Sequence, residues 1–373
     1  MQSLAAGIAG VRDRNGGQEF RVRLVTEIPA GEYDDKQLPF EIVRQPTFSA
    51  LWRLIRAADV VHIAGPSLLP MLLAWICRKP YVVEHHGYQA ICPNGLLVHQ
   101  PGRVICPGYF QAARYTQCFQ CLHAEFPSRR VAAQLLLLMF PRHGLAHAAA
   151  ANIAITGHVA RRHDLPRSQV VYYGIEDPLP DAAVEKLNVA ADLCVACVGR
   201  LVPEKGLPIL LEAIRVLRAE GQHIKLRVIG DGPERSRLEK IIQQEKLHSS
   251  VSITGFLTGA ELAAALHDVS VVVMPSTWEE AAGLSAIEQM MRGRLVVAAD
   301  IGGLSEVAGD AAMKFIPGRA ASLADSLRSI LNDPSLIATL GQQGRRRAIE
   351  KFARQRMIAD HVRIYRASRA RGR

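Results

Sequence analysis

Aromatic side chains are scarce in this chain of 373 residues, at 6%, and no apolar run approaches the ~20 residues that cross a bilayer. The longest runs are Leu68 to Ile76, which Pro70 interrupts, and Val131 to Phe140. Leu4 to Val11 is apolar, but no Lys or Arg precedes it and no cleavage pattern follows, so a secretory leader is not expected. Cysteine is sparse and odd in number, seven in all, which argues against a disulfide framework. Repeats and low-complexity stretches are missing. These gaps leave a soluble or peripheral cytoplasmic protein as the expectation.

What is present is enough apolar material for two cores. Hydrophobic residues make up 49% of the chain, and its length predicts two domains of about 170–190 residues each. A net charge of +10 favours an anionic partner. Nucleic acid is disfavoured, because the positive charges run along helical stretches rather than interleaving with aromatics.

The second half alternates strand and helix. Leu193–Val198, Ile224–Ile229, Val251–Thr254, Val269–Met274, Leu295–Ala299 and Ala312–Phe315 read as strands, with helices predicted over Leu207–Ala219, Glu234–Glu245, Glu261–His267 and Leu284–Arg292. Unbroken Val/Ile/Leu runs, rather than alternation, indicate strands covered on both faces and hence a parallel, doubly wound sheet. The first half is similar in kind but less regular, with strands over Phe20–Thr26, Val60–Ile63, Tyr81–Glu84 and Ile153–Thr156. It opens on a helix-like Ser3–Arg12, so the usual first strand and Gly-rich turn are lacking. Asp177–Asp181 reads as a linker. The expected domains are therefore residues 1–176 and 177–350, followed by a basic helix over 351–373 that could cross back to the first domain.

Two clusters in the second half carry chemistry. Gly199 ends a strand where a missing Cβ lets a ligand approach the backbone. Arg200 offers a planar fork of donors, and Lys205 falls just before a helix start that already favours an anion. Downstream, Gly283 and Leu284 open a helix whose backbone N–H groups can meet a diphosphate. Glu288 lies about one turn inside that helix, leaning back toward its start, where it can accept from ribose hydroxyls. Glu280 stands in the preceding loop, free to meet a sugar.

Six motifs in order resemble the donor domain of the retaining glycosyltransferases of family 4. They are Gly199-Arg200-x4-Lys205-Gly206, Gly230-Asp231-Gly232-Pro233, Gly255-Phe256-Leu257, Pro275-Ser276, Glu280-x7-Glu288 and Gly302-Gly303-x2-Glu306. The resemblance implies a GT-B fold, two doubly wound Rossmann-type domains facing across a cleft. It implies that Arg200 and Lys205 hold the donor diphosphate, Glu288 the ribose and Glu280 the transferred sugar, with Phe256 and Leu257 near the base. A nucleoside-diphosphate sugar would then be the donor, with a glycan or lipid-linked acceptor and no cofactor or divalent metal required for turnover. Where the family usually has Gly-Phe after the first glutamate, this chain has Ala281-Ala282, so the donor sugar is left open.

In the first half, Val82-Val83-Glu84-His85-His86-Gly87-Tyr88 resembles the family's strand that ends in a catalytic-region histidine. His86 matches it best and His85 second, with Gly87-Tyr88 standing for the usual Asp-Tyr. Cys92, Cys106, Cys118 and Cys121 follow, ending in a C-x2-C pair. A structural zinc ion is one reading of them, disulfides or free thiols the others. Arg129-Arg130 and the apolar run after them form either a buried helix of the first domain or one lying in an anionic membrane interface. The expected function is sugar transfer with retention, in surface polysaccharide synthesis. The alternative is a truncated or degenerate nucleotide-sugar-binding protein without transfer activity.

Overall fold

The computed structural model describes residues 1–13, 15–29, 35–179 and 193–371. The chain divides into two compact units, Met1–Gly174 with Arg354–Arg373, and Ile175–Ala353. Of the expected linker, Asp177 to Leu179 is described, while Pro180 and Asp181 lie outside the described residues.

The first unit contains strands β1 (Arg23–Thr26), β2 (Glu41–Arg44), β3 (Val61–Ala64), β4 (Tyr81–His85), β5 (Val98–His99), β6 (Val104–Ile105), β7 (Ala151–Ala154) and β8 (Ser168–Val170). Its helices are α1 (Gln2–Ala9), α2 (Phe48–Ala57), α3 (Leu68–Ile76), α4 (Tyr115–Glu125), α5 (Arg129–Ala148) and α6 (Gly157–His163). The second unit holds β9 (Leu193–Val198), β10 (Ile224–Ile229), β11 (Val251–Gly255), β12 (Val271–Met274), β13 (Leu295–Ala299) and β14 (Met313–Phe315). With them run α7 (Leu207–Ala219), α8 (Arg235–Gln244), α9 (Gly259–Ala265), α10 (Leu284–Met291), α11 (Gly302–Ala308), α12 (Ala320–Asn332) and α13 (Ser335–Phe352). Helix α14 (Arg354–Arg371) belongs to the first unit.

The second unit is one parallel sheet in the order β11-β10-β9-β12-β13-β14. β12 and β13 are buried along their whole length, as unbroken apolar runs covered on both faces must be. Helix α7 buries Leu207, Leu210, Leu211, Ala213, Ile214 and Leu217, the three-and-four spacing of one helix stripe. That stripe joins Leu323, Ala324 and Leu327 of α12 and the strand residues Val195, Val271 and Val297 in one core cluster. Arg345 of α13, the first of three consecutive arginines, is 9% exposed and pairs with Asp177 at 2.9 Å.

The first unit is divided. β3-β4-β7-β8 form one parallel sheet and β1-β2 a separate parallel pair; among the described residues no strand joins β1 to β3. β5 and β6 make a short antiparallel hairpin within the cysteine-bearing segment. The expected strand over Ile153–Thr156 lies two residues earlier, because Thr156 caps α6 with its hydroxyl accepting from Val159 N at 3.2 Å. Both ends of the chain supply this unit's core: Leu4 and Ile8 of α1 meet Met357, Val362 and Ile364 of α14 beneath Val82 and Ile153.

Candidate functional site

In a parallel open sheet the carboxyl ends of all strands lie on one edge, and ligands bind where the strand order reverses. In the second unit that point falls between β9, which continues to β10 and β11, and β12, which continues to β13 and β14. Lys205 follows β9 and Glu280 follows β12, and their side chains meet across it, Nζ to Oε1 at 2.8 Å.

The backbone explains why the two loops close on each other. Pro203–Lys205 is a single 3-10 turn, ended by Gly206 at φ +67°. A Cβ on Gly206 would lie 1.9 Å from the carbonyl oxygen of Pro275, so only glycine fits both the left-handed turn and the approach. Thr277 N donates to Glu204 O at 2.9 Å, a second tie between the loops. Gly303 N donates to Glu280 O at 2.6 Å, and a Cβ there would meet the Ala281 carbonyl oxygen at 2.0 Å. The Gly302-Gly303 pair is thus the floor on which the Glu280 loop rests.

Glu280 is 6% exposed. Besides Lys205 it accepts from the Ser276 hydroxyl, a partner that the sequence offered only as part of the Pro275-Ser276 motif. Gly199, Arg200, Lys205, Pro275 and Ser276 line one small depression, with Arg200 exposed at its rim. Gly283, at φ +89°, caps α10, and Leu284 at that helix's first position is exposed. Glu288 presents its carboxylate at the surface of α10, while the surrounding protein raises its pKa and Arg292 opposes the rise. Phe256 follows β11, two strands from β9, and is 77% exposed, with Leu257 half-buried beside it. The arrangement gathers two cations, two helix starts and two carboxylates at one sheet edge, which suits a ligand carrying both phosphate and hydroxyl groups.

The first unit places the histidines of its β4 end differently from each other. His85 is 1% exposed, hydrogen-bonded through Nε2 to Asn152 Oδ1 at 2.9 Å and packed on His163, with burial pushing its pKa down to about 4. It is a core side chain. His86 is half-buried, with Nδ1 2.7 Å from the Tyr173 hydroxyl and the two rings stacked at 5°. Burial lowers its pKa, and the Glu84 carboxylate, 3.7 Å from Nε2, works the other way. Glu84 stands inside the quoted histidine segment without a role of its own, and Tyr173 belongs to no motif. Glu84 is separated from His86 by one residue, a spacing that points both side chains to one face of an extended chain.

Cys92, Cys106, Cys118 and Cys121 are all buried thiols. Burial raises Cys92 to about 11 and Cys118 to about 12, with neighbouring thiols of the set adding to the rise. Cys121 Sγ accepts from Gln100 N at 3.3 Å. The four therefore share a neighbourhood. Among the described residues, however, the group of three or more potential metal ligands whose atoms all lie within 4.8 Å of one another is His62, Glu84 and His361, not the thiols.

Helix α5 is buried on one side only: Ala132, Met139, Leu145 and Ala146 face inward, while Leu137 is 64% and Phe140 44% exposed. No described helix is long and apolar enough to cross a membrane.

Residues 183–347 match the family model described as glycosyl transferases group 1. The chain is 32% identical over 160 residues to the 2-deoxystreptamine glucosyltransferase of Streptomyces kanamyceticus, covering 42% of this chain and 41% of that protein. It is 33% identical over 180 residues to the MMP alpha-(1->4)-mannosyltransferase of Mycolicibacterium hassiacum, covering 48% and 43%. The matches thus span about four tenths of those curated relatives' length. Among solved structures, Anabaena HepE in complex with UDP-glucose superposes with a TM-score of 0.66 at 19% identity, over 97% of this chain and 94% of that one. Sucrose-phosphate synthase from Thermosynechococcus elongatus gives 0.68 at 20% identity, over 97% and 91%. These likenesses show the fold, the α/β, two-domain Rossmann-type GT-B architecture.

Proposed function

We propose that the chain transfers a sugar from a nucleoside-diphosphate sugar to a glycan or lipid-linked acceptor, with retention and without a catalytic metal, in surface polysaccharide synthesis. The observation that carries this reading is the Lys205–Glu280 pair, held across the point where the strand order reverses. The glycosyl transferases group 1 match over the same residues supports it, as do relatives named for glucosyl and mannosyl transfer.

The geometry suggests how the donor would act on the pair. Without a ligand, Lys205 and Glu280 neutralise each other at 2.8 Å, which keeps a nearly buried carboxylate from being left unpaired. An arriving diphosphate competes for Lys205 and meets the Arg200 fork and the start of α10. Glu280, still held by Ser276, is then available to the sugar hydroxyls, and Glu288 to the ribose. Positive charge already in place offsets the charge that develops on the leaving diphosphate, the role a divalent ion plays elsewhere. His86, fixed by Tyr173, is assigned to the sugar or acceptor. The exposed Leu137, Leu138 and Phe140, on the helix that Arg129 and Arg130 begin, are assigned to an anionic membrane surface.

The test is a binding and turnover screen of nucleoside-diphosphate hexoses, beginning with UDP-glucose, with the anomeric configuration of the first product read by NMR. Lys205→Ala is expected to lower kcat/KM about 10²–10³-fold, and Glu288→Ala to weaken donor binding. Parent-like kinetics in both variants, or an inverted product, would sink the reading. The divided sheet of the first unit favours the second reading, donor binding without transfer, which the same screen identifies as binding without turnover.

A further inference from the structure

Glu84 lies on β4, 3% exposed, and among the described residues its charged partners are histidines, with no lysine or arginine paired to it. His62 of β3 brings Nε2 to 3.1 Å from Oε2, and His361 of α14 brings Nε2 to 3.7 Å from Oε1. His86 Nε2 approaches Oε2 at 3.7 Å from the more exposed side. Tyr365 and Tyr173 complete the surroundings through His62 and His86 respectively.

His361 is the informative member. It is fully buried, and its Nδ1 lies 2.8 Å from the carbonyl oxygen of Met357. A carbonyl only accepts, so Nδ1 carries the proton, and in the neutral ring Nε2 is a bare lone pair. That nitrogen has no hydrogen-bond partner and is aimed at the Glu84 carboxylate across a gap too long for a hydrogen bond. A buried lone pair facing a buried carboxylate is unfavourable unless a positive charge sits between them. A backbone carbonyl on Nδ1 that leaves Nε2 free is also how metal-ligating histidines are usually oriented. His62 can adopt the same state: when Nδ1–H donates to the Tyr365 oxygen, 2.9 Å away, its Nε2 is free as well.

We propose that His62, Glu84 and His361 form a binding site for a divalent transition-metal ion such as Zn²⁺, a clip of two imidazoles and a carboxylate that ties the C-terminal helix to two adjacent strands. All three ligand atoms already lie within 4.8 Å of one another; ligands about 2.1 Å from a shared ion in a tetrahedron stand about 3.4 Å apart, so a side-chain adjustment of about 1 Å closes the set. The ion changes no oxidation state. It replaces the proton that otherwise sits on His62 Nε2, which moves to Nδ1. By fixing Glu84 it also fixes the carboxylate beside His86, so the site is structural and one contact away from the β4 end.

The experiment uses the full chain, stripped with a chelator and titrated with Co²⁺ and then Zn²⁺. Cobalt held by imidazole and carboxylate shows weak visible bands, whereas cobalt on the cysteine thiols shows intense near-ultraviolet sulfur charge transfer, so the two sets are told apart. The expected result is a component with visible bands and no sulfur charge transfer. It should weaken at least tenfold in His361→Gln and in Glu84→Gln, accompanied by a metal-dependent rise in Tm that His361→Gln abolishes. Because the parent chain is tested directly, a variant that fails to fold does not decide the matter. Absence of uptake by the parent, sulfur-bound cobalt alone, or equal affinity in a folded His361→Gln would overturn the proposal and leave an imidazolium at His361 as the charge beside Glu84.

Discussion

The two units are built from the same kind of parallel strand, yet they distribute polar groups in opposite ways. In the second unit the largest buried faces of a continuous six-stranded sheet are apolar. Its buried arginines Arg294 and Arg345 are tied to backbone carbonyls and to Asp177, and Lys205, Glu280 and Arg200 emerge beyond the strand ends. In the first unit the sheet is divided, and Glu84, His62 and His361 sit within its body. A complete sheet can gather its ligand-facing cations and carboxylate at one edge, where a ligand reaches them. A divided one leaves polar groups inside that must satisfy one another, and in doing so it becomes sensitive to protons and cations.

The largest effect that would sharpen this contrast is expected at Gly206. Gly206→Ala places a Cβ against the Pro275 carbonyl oxygen in a left-handed turn, a combined strain of about 2–4 kcal/mol. Thermal unfolding should show a lower midpoint for the second unit and loss of donor binding together; a parent-like Tm would mean that the loops are not locked. An intermediate effect is expected from acid. His163 of α6 is 2% exposed, and burial pushes its pKa down to about 3; His143 of α5 is lowered as well. Above the ordinary histidine value near 6.5 neither folded nor unfolded chain is charged there. As the pH falls below it, the unfolded chain takes up protons that the folded unit refuses, so stability is lost progressively from 6.5 down to about 3. Tm against pH should therefore fall earlier for the first unit than for the second, and coincident transitions across that range would break the contrast. The smallest effect is expected at Leu137, 64% exposed on α5. Leu137→Ser should change stability by less than about 0.5 kcal/mol while reducing binding to anionic vesicles, and unchanged vesicle binding would remove the membrane assignment.

Much of the second unit was legible because its strands are nearly pure Val, Leu, Ile and Ala, as in Val271–Met274 and Leu295–Ala299, and burial on both faces demands that pattern. The motif positions Lys205 and Glu280 were legible as residues, but their mutual ion pair was not, since it depends on how Gly206 and Gly303 let two loops approach. The first unit was harder. β2 and β8, Glu41–Arg44 and Ser168–Val170, are short and half exposed, so they carry no apolar run. His62, Glu84 and His361 come from opposite ends of the chain, and no spacing announces them. Arg345 lies in a run of three arginines, nothing in which singles it out, and only the fold reveals its partner Asp177.

The packing of α14 against α1 and β4 has a consequence for synthesis. The first unit's strands leave the ribosome early, but Met357, Val362 and Ile364, which cover Val82 and Ile153, are translated after the whole of the second unit. The later-made unit can therefore close its sheet first, while the earlier-made one waits with an apolar face open. During that interval the nascent chain depends on whatever shields the face, and its vulnerability to aggregation is set by the speed of translation through the second unit rather than by the stability of the finished protein.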